Sequence, residues 1–216
     1  MIRATFHTLI ILLLITHVLT VTFPHKIVLI RHAEKPDDDS DPNLSQQGYK
    51  RASAFIKYFN ATHGLFDKPV AFFAMGSRLD PTPKQPSDVR TVKTLRSIQT
   101  VQPSADWHHV PIYKQFIKER PDILLQFVAE NNDFDKKTIV ICWEHDEIND
   151  TFLPKLGLPE KYRPDKWPGS VYDMNYVLTF KAGDLREFDI VLQKLLPSDS
   201  NTLENKDLER KHHVIL

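Results

Sequence analysis

Lys26-Ile27-Val28-Leu29-Ile30-Arg31-His32-Ala33-Glu34-Lys35 decides how this chain is read. Four apolar residues run straight into an arginine and a histidine, and Pro36 and an aspartate-rich stretch follow. The apolar run has the length and composition of a buried strand. In open α/β sheets, ligands bind just outside the carboxyl ends of the strands. An Arg-His pair placed there suits an anion, because guanidinium binds it and imidazole can attack it.

A second stretch mirrors the first. Thr138-Ile139-Val140-Ile141-Cys142-Trp143 is a continuous apolar run that leads into Glu144-His145-Asp146. Two hydrophobic strands thus each finish near a histidine, and in a parallel sheet both ends lie on one edge. A further cation stands in Thr94-Leu95-Arg96-Ser97-Ile98-Gln99-Thr100, with Arg90 six residues earlier. Six helical residues turn by about 600°, so these two arginines point roughly 120° apart and only one of them suits a small pocket.

The remaining pattern alternates strands and helices. Ser45 is placed to cap a helix carrying Ala52, Phe55, Ile56 and Phe59 at helical spacing. Val70–Ala74 reads as a strand, Ser87 and Asp88 as the opening of a second helix limited by Pro103, and Val110–Tyr113 as a short strand. Pro121 fits the first turn of a third helix. A further helix is expected to stop at Gly157, a strand lies within Val171–Phe180, and Asp184–Leu196 reads as a final helix. This order predicts an α/β fold, a three-layer α/β/α sandwich with a mostly parallel sheet. The domain is expected over residues 24–197, followed by a polar tail over 198–216.

Composition excludes several classes. The 216 residues suit one domain, and 28 basic residues balance 28 acidic ones. No global basic field for nucleic acid is present, so anion binding requires a local cluster. The single cysteine, Cys142, excludes an internal disulfide and a cysteine-built zinc site. Residues 1–23 differ from the rest: Arg3 precedes the apolar run Leu9–Ile15, and His17 interrupts the stretch beyond it. This pattern reads as a secretory signal peptide, as an uncleaved N-terminal membrane anchor, or as a buried N-terminus. The first implies a secreted or periplasmic protein and the second attachment to a membrane.

Taken together, the motifs resemble the histidine phosphatase superfamily, the phosphoglycerate-mutase-like family. Arg31-His32-Ala33-Glu34 is similar to its Arg-His-Gly/Ala motif, and Leu44-Ser45-x-x-Gly48-x-x-Arg51-Ala52 to its next helix. Arg96-Ser97-Ile98-Gln99-Thr100 is similar to the Arg-x-x-Gln/Glu-Thr element, which favours Arg96 over Arg90, and Trp143-Glu144-His145 supplies the second histidine. The resemblance implies a phosphatase that hydrolyses phosphomonoesters through a phosphohistidine at His32, with no cofactor and no metal. It assigns Arg31 and Arg96 to phosphate binding and His32 and His145 to catalysis. The acid that protonates the leaving group is Asp146 by analogy with one branch of the superfamily, or Glu119 by analogy with the other. The implied partner is a small phosphorylated substrate or a phosphoprotein. A catalytically impaired member that binds phosphorylated ligands or a protein is the alternative. A mutase fits less well, because Lys35-Pro36-Asp37 stands where mutases carry tryptophan and asparagine.

Other conspicuous residues have plainer readings. Arg51 reads as a member of a structural ion pair, and Glu34 and Lys35 as surface residues bordering the pocket. His108-His109, His212-His213 and the Asp37–Asp41 run lack metal-site spacing. Trp167-Pro168-Gly169 reads equally as a pocket wall or as packing under the sheet edge.

Overall fold

The computed structural model describes residues 23–60, 67–77, 94–203, 208 and 213–216. The expected first strand, β1 (Lys26–Arg31), lies inside a seven-stranded sheet of order β3-β2-β4-β1-β5-β6-β7. It pairs in parallel with β4 (Thr138–Trp143), beyond which β2 (Ala71–Ala74) and β3 (Ile112–Tyr113) continue the parallel half of the sheet. Beyond β1 the sheet is antiparallel, through β5 (Met174–Lys181), β6 (Asp184–Leu192) and β7 (His213–Ile215).

Alternation along β1 and β4 divides the core into two layers. Val28, Ile30, Val140 and Cys142 face Phe55 and Phe59 of α1 (Gln46–Asn60) and Val101 and Ala105 of α2 (Arg96–His108). Ile27, Leu29, Ile139 and Ile141 face the other way, toward Leu124 and Val128 of α3 (Pro121–Glu130). Also on that side are Ile148 and Phe152 of a helical stretch formed by α4 (His145–Glu147), a π-helical segment (Ile148–Phe152) and α5 (Leu153–Lys155). Both faces are covered, which is why β1 and β4 are apolar throughout rather than alternating.

Local signals explain several boundaries. Ser45 Oγ accepts from the Gly48 backbone N–H at 3.1 Å and so caps α1. Gly157, at φ +87°, ends the helical stretch after α5. Two sequence expectations are corrected. Thr94 and Leu95 are not helical, and α2 begins at Arg96 and runs through Pro103 to His108. Pro103 does not stop it, because the stripe Ser97, Thr100, Val101, Ser104, Ala105 and His108 is buried and tertiary packing outweighs one lost helical hydrogen bond. Ser87, Asp88 and Arg90 lie outside the described residues.

The second correction concerns Asp184–Leu196. Residues Asp184–Leu192 form β6, paired antiparallel with β5. Ala182 and Gly183 between them have φ +53° and +85°, as a tight hairpin turn with two left-handed residues requires. Phe188 and Ile190, two apart, are buried. The segment expected as a polar tail also takes part: β7 closes the sheet on β6, Val214 and Leu208 are buried, and Asp199 pairs with Arg51. Residues 1–22, where the leader was read, lie outside the described residues, and no described helix is long and apolar enough to cross a membrane.

Gly48 marks where α1 meets the end of β1. A Cβ there would stand 2.4 Å from the Glu34 carbonyl oxygen and 3.1 Å from the Glu34 nitrogen, both backbone atoms that cannot rotate away. Gly48→Ala is expected to cost about 1–3 kcal/mol, read as a lowered urea midpoint. An unchanged midpoint would show that α1 does not rest on this backbone.

Candidate active site

The register of β1 against β4 sets the site. Arg31 pairs with Trp143, so the two strands end level, and the His32 N–H continues the ladder to the Trp143 carbonyl at 3.1 Å. Arg31 is thus the last strand residue and His32 the first beyond it, while His145 opens α4 two residues after β4 ends. The Arg96–Thr100 motif then clamps the loops around them. Thr100 Oγ1 accepts from the Ala33 N–H at 2.8 Å, and Gln99 Oε1 accepts from the Leu44 N–H at 3.0 Å. Gln99 Nε2 also donates to Asn43 Oδ1 at 2.7 Å. Arg96 itself donates to the carbonyls of Asn43 and Asp41.

His32 is 7% exposed, and its Nδ1 lies 2.8 Å from the Ala33 carbonyl oxygen. A carbonyl only accepts, so Nδ1 carries the hydrogen and Nε2 keeps its lone pair in the neutral ring. Burial pushes the His32 pKa down to about 3, and the positive charges of Arg31 and Arg96 and the field of His145 add to that, against a smaller upward pull from the Ala33 bond. His145 is also lowered, first by burial and then by Arg31, against the carboxylates of Asp146 and Glu144. The structure therefore brings His32, Arg31, Arg96 and His145 into one electrostatic neighbourhood.

Two arginines in this region are almost fully buried, and their partners differ. Arg51, 2% exposed, donates to Glu34 at 2.7 Å and to Asp199 at 2.7 Å, with Gln193 as a further acceptor. It is the structural ion-pair member expected from sequence, and it engages Glu34 at the edge of the pocket. Arg31, 3% exposed, has no carboxylate partner among the described residues. Its Nη1 donates to the carbonyls of Gly169 at 2.6 Å and Val171 at 3.1 Å, and Nη2 donates to the Tyr172 hydroxyl at 3.2 Å. Its Nε is buried with no hydrogen-bond partner. A buried guanidinium without a counter-ion is costly, so an anion at this position would relieve it.

The two candidate acids sit differently. Asp146 Oδ1 is 3.3 Å from His145 Nε2, and its side chain is 69% exposed. Glu119 is exposed on the segment between β3 and α3, where the neighbouring Lys118 pairs with Glu144 at the end of β4. Asp146 is thus in direct contact with a site residue. Trp167-Pro168-Gly169 does both things read from sequence. Trp167 is buried in the core and donates from Nε1 to the Val171 carbonyl at 3.0 Å, while Gly169 faces His145 Nε2 and accepts from Arg31. Tyr172 was missed by sequence reasoning. No periodicity marks it, and only the position of this loop before β5 hints at it. Among the described residues, no group of three or more His, Cys, Asp or Glu is placed to hold a metal.

No family model and no curated protein matches this sequence. Solved structures do match. The SixA protein of Agrobacterium tumefaciens, assigned as a phosphohistidine phosphatase, is similar with a TM-score of 0.50 at 15% identity, over 78% of this chain and 97% of that one. A mycobacterial glucosyl-3-phosphoglycerate phosphatase solved with inorganic phosphate gives 0.48 at 12% identity, over 78% and 96%. The alpha-ribazole phosphatase of Shigella flexneri gives 0.40 at 13% identity, over 83% and 100%. The class defined by this likeness is a fold, the phosphoglycerate-mutase-like α/β fold. At such identities the likeness is one of fold.

The protonation state of His32 is directly measurable. Its folded pKa lies below the unfolded value near 6.5, so between about pH 6.5 and 3 the unfolded chain binds the additional proton. Stability attributable to His32 is therefore present above that window and is lost as pH falls through it. Nitrogen-15 spectra of the ring are expected to show the Nδ1–H tautomer with no titration from about pH 5 to 8. A midpoint near 6.5 would refute the buried neutral assignment.

Proposed function

We propose that this chain is a phosphatase that hydrolyses phosphomonoesters through a phosphohistidine at His32. The observation that carries the reading is Arg31: a buried cation, unpaired by any described carboxylate, next to a neutral imidazole with a free Nε2. A phosphate monoester answers both, being an anion for the guanidinium and an electrophile for the nitrogen.

The steps follow from the placement of the side chains. His32 Nε2 attacks phosphorus in line with the ester oxygen, and the P–O bond breaks as the P–N bond forms. Charge spreads over the three equatorial oxygens, where Arg31 and Arg96 supply fixed positive charge. An arriving dianion raises the proton affinity of His145, so that this ring also donates. Asp146 protonates the departing alkoxide. Water then attacks phosphorus and gives a proton to the Asp146 carboxylate, and cleavage of the P–N bond restores His32 and releases inorganic phosphate. No step calls for a metal.

A cleft of about 1230 Å³ adjoins the site, lined by Glu34, Lys35, Gln47, Gly169, Tyr172 and Ser198 among others. His32 does not line it. Gly169 and Tyr172 form the wall it shares with the Arg31 side chain, so the cleft suits the leaving group rather than the phosphoryl group. The substrate is accordingly proposed as a small phosphorylated molecule or a phosphorylated side chain of a protein. Export through the leader within residues 1–23 is proposed on the basic start and short apolar run alone, and the N-terminal sequence of the mature protein tests it.

His32→Ala is expected to lower aryl phosphate hydrolysis by about 10³-fold or more, and to abolish an acid-labile phosphoprotein trapped by rapid quench. Unchanged turnover would exclude His32 as the nucleophile. A protein that binds phosphate but turns over no phosphoester would instead be a binding module.

Asp146→Asn separates the acids. Alkyl phosphates, with poor leaving groups, are expected to lose about 10²–10⁴-fold in kcat, and activated aryl phosphates far less. If both substrates are unaffected, the proton comes from elsewhere, and Glu119→Gln becomes the variant to measure.

A further inference from the structure

We infer that Tyr172 is a positioning residue that aims the Arg31 guanidinium at the anion. This rests on the phosphatase reading only for what Arg31 binds. Arg31 is long, and burial alone does not select one orientation of its planar fork. Tyr172 restricts it in two ways. The guanidinium carbon lies 3.9 Å from the centroid of the Tyr172 ring, a cation–π distance, and Nη2 donates to the Tyr172 hydroxyl at 3.2 Å.

Counting donors shows what this leaves free. Both Nη1 hydrogens have acceptors, in the Gly169 and Val171 carbonyls. The Tyr172 hydroxyl takes one Nη2 hydrogen. Nε and the second Nη2 hydrogen remain, and Nε is buried without a partner. The face and one edge of the guanidinium are thus held by neutral groups, and the donors left over have no acceptor among the described residues. Neutral holders matter, because a carboxylate in their place would compete with the substrate for the same charge. Arg51 shows that competing arrangement, closed by Glu34 and Asp199.

Tyr172 also reaches the nucleophile. Its ring centroid is 6.1 Å from that of His32, at a tilt of 56°. One side chain therefore contacts the guanidinium, flanks the imidazole and lines the adjoining cleft. The Gly169–Tyr172 loop is kept in register by the Trp167 indole, which donates to the same Val171 carbonyl that Arg31 uses.

The test compares Tyr172→Phe, which keeps the ring face and removes the hydroxyl, with Tyr172→Leu, which removes both. The dissociation constant of inorganic phosphate, measured by calorimetry on the full chain, is expected to rise about threefold in the Phe variant and about tenfold in the Leu variant. The kcat/KM for an aryl phosphate is expected to fall in the same order. Melting temperature should not follow that order, since a merely structural role would move stability and affinity together. The Arg31 Nε–H nitrogen-15 resonance should shift on phosphate addition in wild type and respond less in Tyr172→Leu. If the Leu variant does not fold, the Phe variant decides: its phosphate affinity must fall and its Arg31 Nε–H resonance must respond to phosphate less than that of wild type, and wild-type values for both would overturn the inference. Arg31→Ala is the control. If it abolishes phosphate binding while Tyr172→Leu binds as wild type does, the positioning inference fails alone. If Arg31→Ala also binds normally, the phosphate site itself is misplaced.

Discussion

Everything at this site depends on β1 lying parallel to β4 with Arg31 opposite Trp143. That one register makes two strands, more than a hundred residues apart in sequence, end at the same height, and the ladder hydrogen bond from His32 carries the alignment one residue further. A slip of one residue would turn Arg31 and His32 to opposite faces, because side chains alternate with a period of two. Burial of both strands on both faces holds the register, since Val28, Ile30, Val140 and Cys142 must meet α1 and α2 while Ile27, Leu29, Ile139 and Ile141 meet α3 and the helical stretch after β4. The apolar runs thus align the ends of the strands, and the candidate site residues stand at those ends.

The arginines show how one residue type is put to two uses. Arg51 is neutralised within the fold by two carboxylates, and removing either would leave buried charge behind, so it ties the loop after β1 to α1 and to the segment near Asp199. Arg31 is equally buried but is held by carbonyls and a phenol. The difference lies in the partners rather than in burial, and it separates an arginine neutralised within the fold from one whose charge has no carboxylate partner among the described residues. Burial lowers the pKa of Arg31, as expected of a cation whose nearest groups satisfy hydrogen bonds without cancelling charge.

Much of this was legible in the sequence, for identifiable reasons. Ile27–Ile30 and Ile139–Trp143 are uninterrupted apolar runs, so both strands and the residues after them could be placed. Ser45 and Gly157 are local signals that act locally, and they appear where expected. The failures lie where two patterns fit the same letters. Leu185, Phe188 and Leu192 satisfy a helical spacing, while Phe188 and Ile190 satisfy a strand, and the Ala182-Gly183 turn decides in favour of the strand. Pro103 read as a stop because its cost is local, whereas the packing that outweighs it is tertiary. Tyr172 could not be found, because its role depends on a loop bringing it back under a strand end, and loop shape leaves no period.

Burial also sets the charge of the two histidines. Together with the positive charge of Arg31 it holds both His32 and His145 below their ordinary pKa values. For the role proposed for His32 that state is the useful one, because only the neutral ring has a lone pair at Nε2. For the role proposed for His145 it is not, since a neutral ring stabilises a transferring phosphoryl group less well than a charged one. On that proposal the two rings part company once a dianion enters. Its charge acts most strongly on the ring that can accept a proton from solvent. His145 is the more exposed of the two and has Asp146 beside it, whereas the Nδ1 of His32 is committed to the Ala33 carbonyl. Burial depth and one backbone carbonyl thus distinguish two histidines at neighbouring strand ends, and the proposed reaction uses that difference by taking one as nucleophile and the other as proton-bearing cation.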